Sequence, residues 1–233
     1  MYGPGGVGKT SLAASLKPFG IRPLIIDLEE RSGFLDVDRV ECSTWDEMRD
    51  QLHSDTCNQY DAIVIDSGTK AEELAVAWTL ANVQHEKGHA VTSIEGYGFG
   101  KGLTHVYETF LNLLGDLDAH VRAGRHAILI CHECVANVPN PSGEDWTRYE
   151  PRLQSPGSGK ASIRHRVKEW TDHLLLVTYD VHVSKAGKGE GSGSRCIYPK
   201  ERAAWWAKST RLESEIVYEK NSVELWKQLF PKG

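Results

Sequence analysis

No run of apolar residues in this 233-residue chain approaches the ~18 needed to cross a bilayer as a helix. No basic, apolar and small-residue leader precedes the first motif. The expectation is a soluble, cytoplasmic protein with no membrane partner. Cysteine is sparse and scattered, at Cys42, Cys57, Cys131, Cys134 and Cys196, and the odd number argues against a disulfide framework. Cys131 and Cys134 have C-x-x-C spacing, but no second pair completes a tetrahedral metal site. They are read as a buried strand-end thiol followed by a loop thiol. No internal repeat is present, which argues against a solenoid.

What is present is ordinary globular composition, with 40% hydrophobic and 25% charged residues. The length suits one large α/β domain, and no stretch reads as a linker, so residues 1–233 are taken as a single domain. The net charge of −5 is unevenly spread. Asp27 to Asp61 holds eleven acidic residues against three arginines. Pro139 to Lys168 holds six basic residues against three acidic, and His182 to Arg202 five against two. Such basic segments on an acidic chain suit either a polyanion-binding face or solvated loops.

The strongest motif lies at the N-terminus, where Gly3-Pro4-Gly5-Gly6-Val7-Gly8-Lys9-Thr10 matches G-x-x-x-x-G-K-[ST]. Glycines let such a loop turn tightly so that its N–H groups converge on phosphate oxygens. Lys9 is placed to reach the β- and γ-phosphates, and Thr10 to offer its hydroxyl to Mg²⁺. A loop of this kind ordinarily follows a central strand, yet only Met1 and Tyr2 precede it. The first core strand is therefore expected to be absent or replaced by another segment.

Downstream, Lys9 to Lys17 reads as a helix closed by Pro18 and Gly20, and Pro23 to Leu28 as a buried strand. Thr44 with Glu47 forms a capping-box pattern for a helix through Ser54. Asp61 to Asp66 and Arg125 to Cys131 read as buried strands, with helices over Thr69–Glu86 and Leu103–Ala123 between them. Glu133 to Lys160 reads as a long polar loop with four prolines. A short helix follows over Ala161–Trp170. His173 to Ser184 and Arg195 to Pro199 read as a strand pair whose Gly/Ser/Lys-rich tip spans Lys185 to Ser194, and Ser222 to Phe230 as a closing helix. Apolar strands alternating with amphipathic helices predict an α/β fold: a mainly parallel sheet flanked by helices, with an antiparallel extension near the C-terminus.

Hydrolysis needs more than a phosphate loop. Asp66 ends an apolar strand, the Walker B position for a carboxylate directed at Mg²⁺ or its water. Glu29 ends the preceding strand and is the candidate general base; Glu30 is its rival, and Asp27 points to the opposite side of the strand. His132 follows the third strand, where a polar side chain can report loss of the γ-phosphate to the next loop.

The order of these pieces resembles the phage RecA-like ATPases of single-strand annealing, a branch of the RecA/AAA-type P-loop proteins. The matching segments are Tyr2 to Ala13, Ile26 to Glu29, Tyr60 to Ser67, Tyr97 to Gly102, Ile128 to Glu133 and Gly143 to Pro151. The resemblance implies a RecA-like core that binds and hydrolyses ATP with Mg²⁺. It also implies single-stranded DNA as a partner, a homo-oligomeric ring or filament, and a single-strand-binding protein as a further partner. By position, Gly3 to Ser11 hold the nucleotide, Thr10 and Asp66 the metal, and Lys9, Glu29 and His132 act on the phosphate. Arg202 is the candidate arginine finger for a neighbouring subunit.

DNA binding needs cations for phosphates and aromatic platforms for bases. One candidate loop supplies Tyr97, Phe99 and Lys101; the other supplies Trp146, Arg148, Tyr149, Arg152, Lys160, Arg164 and Arg166. Two other readings remain: a small-molecule kinase whose basic loop is a lid, and a non-hydrolysing nucleotide- or DNA-binding module.

Overall fold

The computed structural model describes residues 1–30, 32–157, 159–183, 189–218 and 224–230. Its strands are β1 (Tyr2–Gly3), β2 (Pro23–Asp27), β3 (Asp38–Glu41), β4 (Ala62–Asp66), β5 (His126–Val138), β6 (Trp146–Pro151), β7 (Leu176–Val183), β8 (Gly189–Tyr198) and β9 (Ile216–Tyr218). Its α-helices are α1 (Lys9–Ala14), α2 (Trp45–His53), α3 (Gly68–Asn82), α4 (Lys101–Arg122), α5 (Ile163–Trp170) and α6 (Glu224–Leu229). Among the described residues no helix is long and apolar enough to cross a membrane. The chain divides into two compact units. One comprises Met1–Gly20, Cys131–Arg152 and Lys168–Gly233, and the other Ile21–Ile130 and Leu153–Val167.

In the second unit the strands run β3-β2-β4-β5, all parallel, with Asp27 opposite Asp66 and Asp66 opposite Ile130. Ile25, Ile26, Ile63, Val64 and Ile65 are fully buried, as continuous apolar runs in a parallel sheet require. The helices form by local rules. Thr44 and Glu47 make a complete capping box at the start of α2. Helix α4 buries a stripe of Val106, Phe110, Leu113, Leu114 and Leu117, spaced three or four residues apart. Polar pairs fix the helices to one another: Trp78 Nε1 donates to Asp46 at 2.9 Å, and Arg49 Nε to Asp116 at 2.8 Å.

The first unit holds the antiparallel extension. β7, β8 and β9 pair antiparallel in order, and β6 pairs antiparallel with residues Glu133 to Val138 of β5. Residues 185–188 of the expected strand-pair tip, and residues 222–223 of the expected last helix, lie outside the described residues. Two expectations are corrected here. The stretch after Cys131 is not a structureless loop: β5 continues seven residues past it, to Val138, and turns back as β6, so Cys134 and His132 lie within a strand. The strand before the phosphate loop is present, although only two residues long. Tyr2 and Gly3 pair in parallel with Cys131 and His132, and Tyr2 with Leu176 of β7.

So short a strand is held by the side chain of Tyr2. The ring is fully buried, and its hydroxyl donates to the carbonyls of Trp206 at 2.6 Å and Tyr149 at 3.0 Å. Burial, reinforced by Glu150 and Glu133, pushes the phenol well above its ordinary pKa, so it stays a donor. Tyr2→Phe leaves both carbonyls without this donor, at an expected cost of about 1–2 kcal/mol. Chemical denaturation measures it; a loss below about 0.3 kcal/mol would show that the ring alone anchors β1.

Candidate functional site

The phosphate loop leaves β1 at Gly3 and enters α1 at Lys9. Gly6 (φ 78°) and Gly8 (φ 97°) carry the turn in the left-handed region open to glycine. Val7 between them is fully buried and pins the loop to the core. A Cβ built on Gly5 or Gly6 meets nothing within 4 Å, so the backbone on that side is bare. Lys9 is 6% exposed, and its ammonium donates to the carbonyls of Gly3 and Pro4, both at 2.8 Å, so the charge is drawn across the loop's own entrance. Thr10 and Ser11 follow in the first turn of α1, half-buried.

His132 of β5 stands opposite Gly3 in the parallel register and is half-buried. It is not at a strand end, because the strand continues as one arm of the β5–β6 hairpin. Its neighbour Glu133 was not among the sequence candidates. Burial pushes the Glu133 carboxyl up, and the Lys9 ammonium pulls it back down. Arg195 of β8 and Tyr218 of β9 also escaped the sequence reading, and both touch the phosphate loop from the C-terminal strands.

The carboxylates lie at the C-terminal ends of β2 and β4 in the second unit. Asp66 is half-buried on the last rung of β4, level with Asp27 of β2. Asp27 is 1% exposed and accepts from the Ser32 hydroxyl at 2.5 Å, the Ser32 N–H at 2.8 Å and the Glu29 N–H at 3.1 Å. These bonds shape the turn after β2. Glu29 lies within that turn, two residues past the end of β2, and accepts a hydrogen bond from Ser67 Oγ at 2.5 Å on Oε1. The same Ser67 oxygen caps α3 by accepting from the Lys70 N–H at 3.1 Å. This serine, the residue that follows Asp66, thus ties the carboxylate of Glu29 to the start of α3. Open parallel sheets bind their ligands at this carboxyl edge.

The nucleic-acid candidates divide. Tyr97 is no stacking platform: it is 3% exposed, and its hydroxyl donates to the carbonyls of Val83 at 2.5 Å and Thr79 at 3.1 Å, tying the loop to α3. Arg148 is likewise spent inside the first unit. Its guanidinium donates to Glu150 at 2.7 Å and Glu201 at 3.1 Å and lies 4.6 Å over the Trp206 ring. Arg164 donates twice to the Leu153 carbonyl, at 2.9 and 3.1 Å. Lys101 pairs with Glu86. Phe99 is fully exposed, and Arg152, Lys160 and Arg166 lie on the surface.

Within the first unit the structure brings three candidates together. Trp146 and Tyr149 of β6 are about two-fifths exposed. Trp146 Nε1 donates to the Ala203 carbonyl at 2.9 Å and the Tyr149 N–H to that of Ala204 at 2.8 Å. These bonds hold β6 against the exposed turn that carries Arg202.

A glycine-built phosphate loop with its lysine turned inward, and parallel strands ending in carboxylates, define a P-loop nucleoside-triphosphatase domain. The sequence matches the AAA domain family over residues 1–211, and the chain belongs to that family. No curated protein matches it significantly. Among solved structures it is similar to a KaiC-like protein, PH0186, from the hyperthermophilic archaeon Pyrococcus horikoshii OT3. Identity is 15%, over 94% of this chain and 84% of that one, at a TM-score of 0.49. It is also similar to the flagellar accessory protein FlaH from Methanocaldococcus jannaschii. Identity there is 9%, over 84% of this chain and 74% of that one, at a TM-score of 0.36.

Proposed function

We propose that this chain is an ATP-dependent, single-stranded-DNA-binding protein that hydrolyses ATP and works as a homo-oligomer in recombination or annealing. The observation that carries the enzymatic part is the phosphate loop. Its bare glycine backbone and an ammonium held on the Gly3 and Pro4 carbonyls fit a triphosphate, which would take Lys9 from those carbonyls. Thr10 and Asp66 are the oxygen donors suited to Mg²⁺, which when bound neutralises charge on the β- and γ-phosphates. Glu29 is the base that takes a proton from the attacking water, with Ser67 fixing its orientation. His132 is the sensor of the γ-phosphate.

The DNA part rests on the exposed aromatics Trp146, Tyr149 and Phe99, with Arg152, Lys160 and Arg166 as phosphate partners. Arg202, exposed on its turn, is offered to the nucleotide of a neighbouring copy.

The test is ATP hydrolysis with Mg²⁺, with and without single-stranded DNA, beside Lys9→Ala. DNA-stimulated turnover that falls at least about 100-fold in the variant is expected. Turnover without a DNA response would sink the DNA half, and turnover only with a small acceptor would make the chain a kinase. No turnover by folded protein would sink hydrolysis.

A further inference from the structure

The N–H groups of a phosphate loop can converge only if the carbonyls of the same peptides are held facing away. Each carbonyl also needs a partner of its own when buried. Two of those carbonyls are held by side chains from the far end of the chain. The Val7 carbonyl accepts from Arg195 Nη1 at 3.0 Å; the Gly8 carbonyl, which also takes the first helical bond of α1 from the Leu12 N–H at 2.8 Å, accepts from the Tyr218 hydroxyl at 2.9 Å. The peptide plane converts this into aim. In a trans peptide the C=O and the next N–H point in opposite directions. Holding the Val7 carbonyl therefore directs the Gly8 N–H, and holding the Gly8 carbonyl directs the Lys9 N–H.

The two side chains are themselves fixed. Arg195 and Tyr218 are cross-strand partners on β8 and β9. The guanidinium stacks 4.3 Å over the Tyr218 ring, and Tyr218 is buried. This pair sits on paired strands, so its geometry is set by a ladder. Packing against Gly8 is close: a Cβ there would come within 2.6 Å of Arg195 Nη1 and 3.0 Å of the Tyr218 hydroxyl. The φ of 97° calls for glycine before Lys9, and its bare Cα leaves room for both side chains to approach. Helix α6 adds a third hold, with Trp226 Nε1 donating to the Leu12 carbonyl of α1 at 3.1 Å.

We infer that Arg195 and Tyr218 are positioning residues for nucleotide binding, a clamp behind the phosphate loop that aims the Gly8 and Lys9 amides at the phosphates. The consequence for affinity rests on the nucleotide-binding reading above; the consequence for the loop itself does not.

The experiment compares wild type, Tyr218→Phe, Arg195→Ala and Arg195→Lys in three measurements: affinity for a fluorescent ATP analogue with Mg²⁺, amide hydrogen exchange in nucleotide-free protein, and thermal unfolding. Tyr218→Phe keeps the ring under Arg195 and removes the hydroxyl's bonds to the Gly8 carbonyl and to Arg195, and is expected to weaken nucleotide about five- to tenfold. Arg195→Ala should weaken it tenfold or more, and Arg195→Lys, which keeps a donor, should recover part of that loss. Exchange should quicken in the peptide spanning residues 4–10 while β5 and β7 keep their protection. Wild-type affinity and loop exchange in both Tyr218→Phe and Arg195→Ala would overturn the clamp. Faster exchange throughout the unit with lowered stability would overturn it too, since the pair would then be general scaffolding. If wild type binds no nucleotide, the proposed function fails, and loop exchange alone decides the clamp.

Discussion

Glu29→Gln is expected to lower ATP turnover about 10²–10⁴-fold, the usual worth of a positioned general base. The substitution keeps the size and shape of the side chain and leaves an amide oxygen to accept from Ser67 Oγ, now 2.5 Å from Oε1. What it removes is the ability to take a proton from water. The variant should therefore still retain bound nucleotide, so single-turnover hydrolysis and equilibrium binding measured side by side separate chemistry from binding. Turnover within threefold of wild type would remove Glu29 from the mechanism. Glu30, the rival carboxylate, would then be tested in its place. A parallel loss of binding would instead assign Glu29 to the structure of the β2 turn, alongside Asp27.

Gly3→Ala is expected to cost about 3–5 kcal/mol of stability, the range of severe core changes. A Cβ at Gly3 would lie 1.9 Å from the Val177 carbonyl oxygen and 3.0 Å from its carbon. Both are backbone atoms of a fully buried β7 residue, so no side-chain rotation relieves the overlap. Relief needs β1 to separate from β7, which gives up the pairing of Tyr2 with Leu176 and moves the Gly3 carbonyl that accepts from Lys9. For a chain of this size such a loss is roughly a 10 °C fall in Tm. Gly5→Ala serves as the control, because a Cβ there meets nothing within 4 Å. Equal melting of the two variants would show that the crowding around Gly3 is not what makes it glycine.

Much of the local structure was legible in residues close together in the chain. The phosphate loop, the capping box of Thr44 and Glu47, the buried strands β2 and β4, and the apolar stripe of α4 all depend on spacings of a few residues. The carboxylates at the ends of β2 and β4 were legible for the same reason. β1 was not, because two residues carry no periodicity. It becomes a strand only because Tyr2 is buried and its hydroxyl meets carbonyls more than 140 residues away. The outer half of β5 and all of β6 were read as loop, since Glu133 to Val138 and Trp146 to Pro151 mix polar and apolar residues on an exposed hairpin. Aromatic residues misled for a related reason: Tyr97 and Phe99 lie two apart in the sequence, yet one is 3% exposed and the other fully exposed.

By itself the sequence determined the phosphate-loop motif, the identity of the strand-end carboxylates and the α/β class. Each of these follows from backbone preference, side-chain chemistry or hydrophobic period within one element. Only the tertiary structure decided which charges remain at the surface and which are spent on internal partners, as Arg148 is on Glu150 and Glu201. It alone also placed Arg195 behind Val7, across 188 residues, and Tyr218 behind Gly8, across 210. Hydrogen bonds across such separations depend on which strands pair and in what register, and that choice is made by burial of the whole sheet.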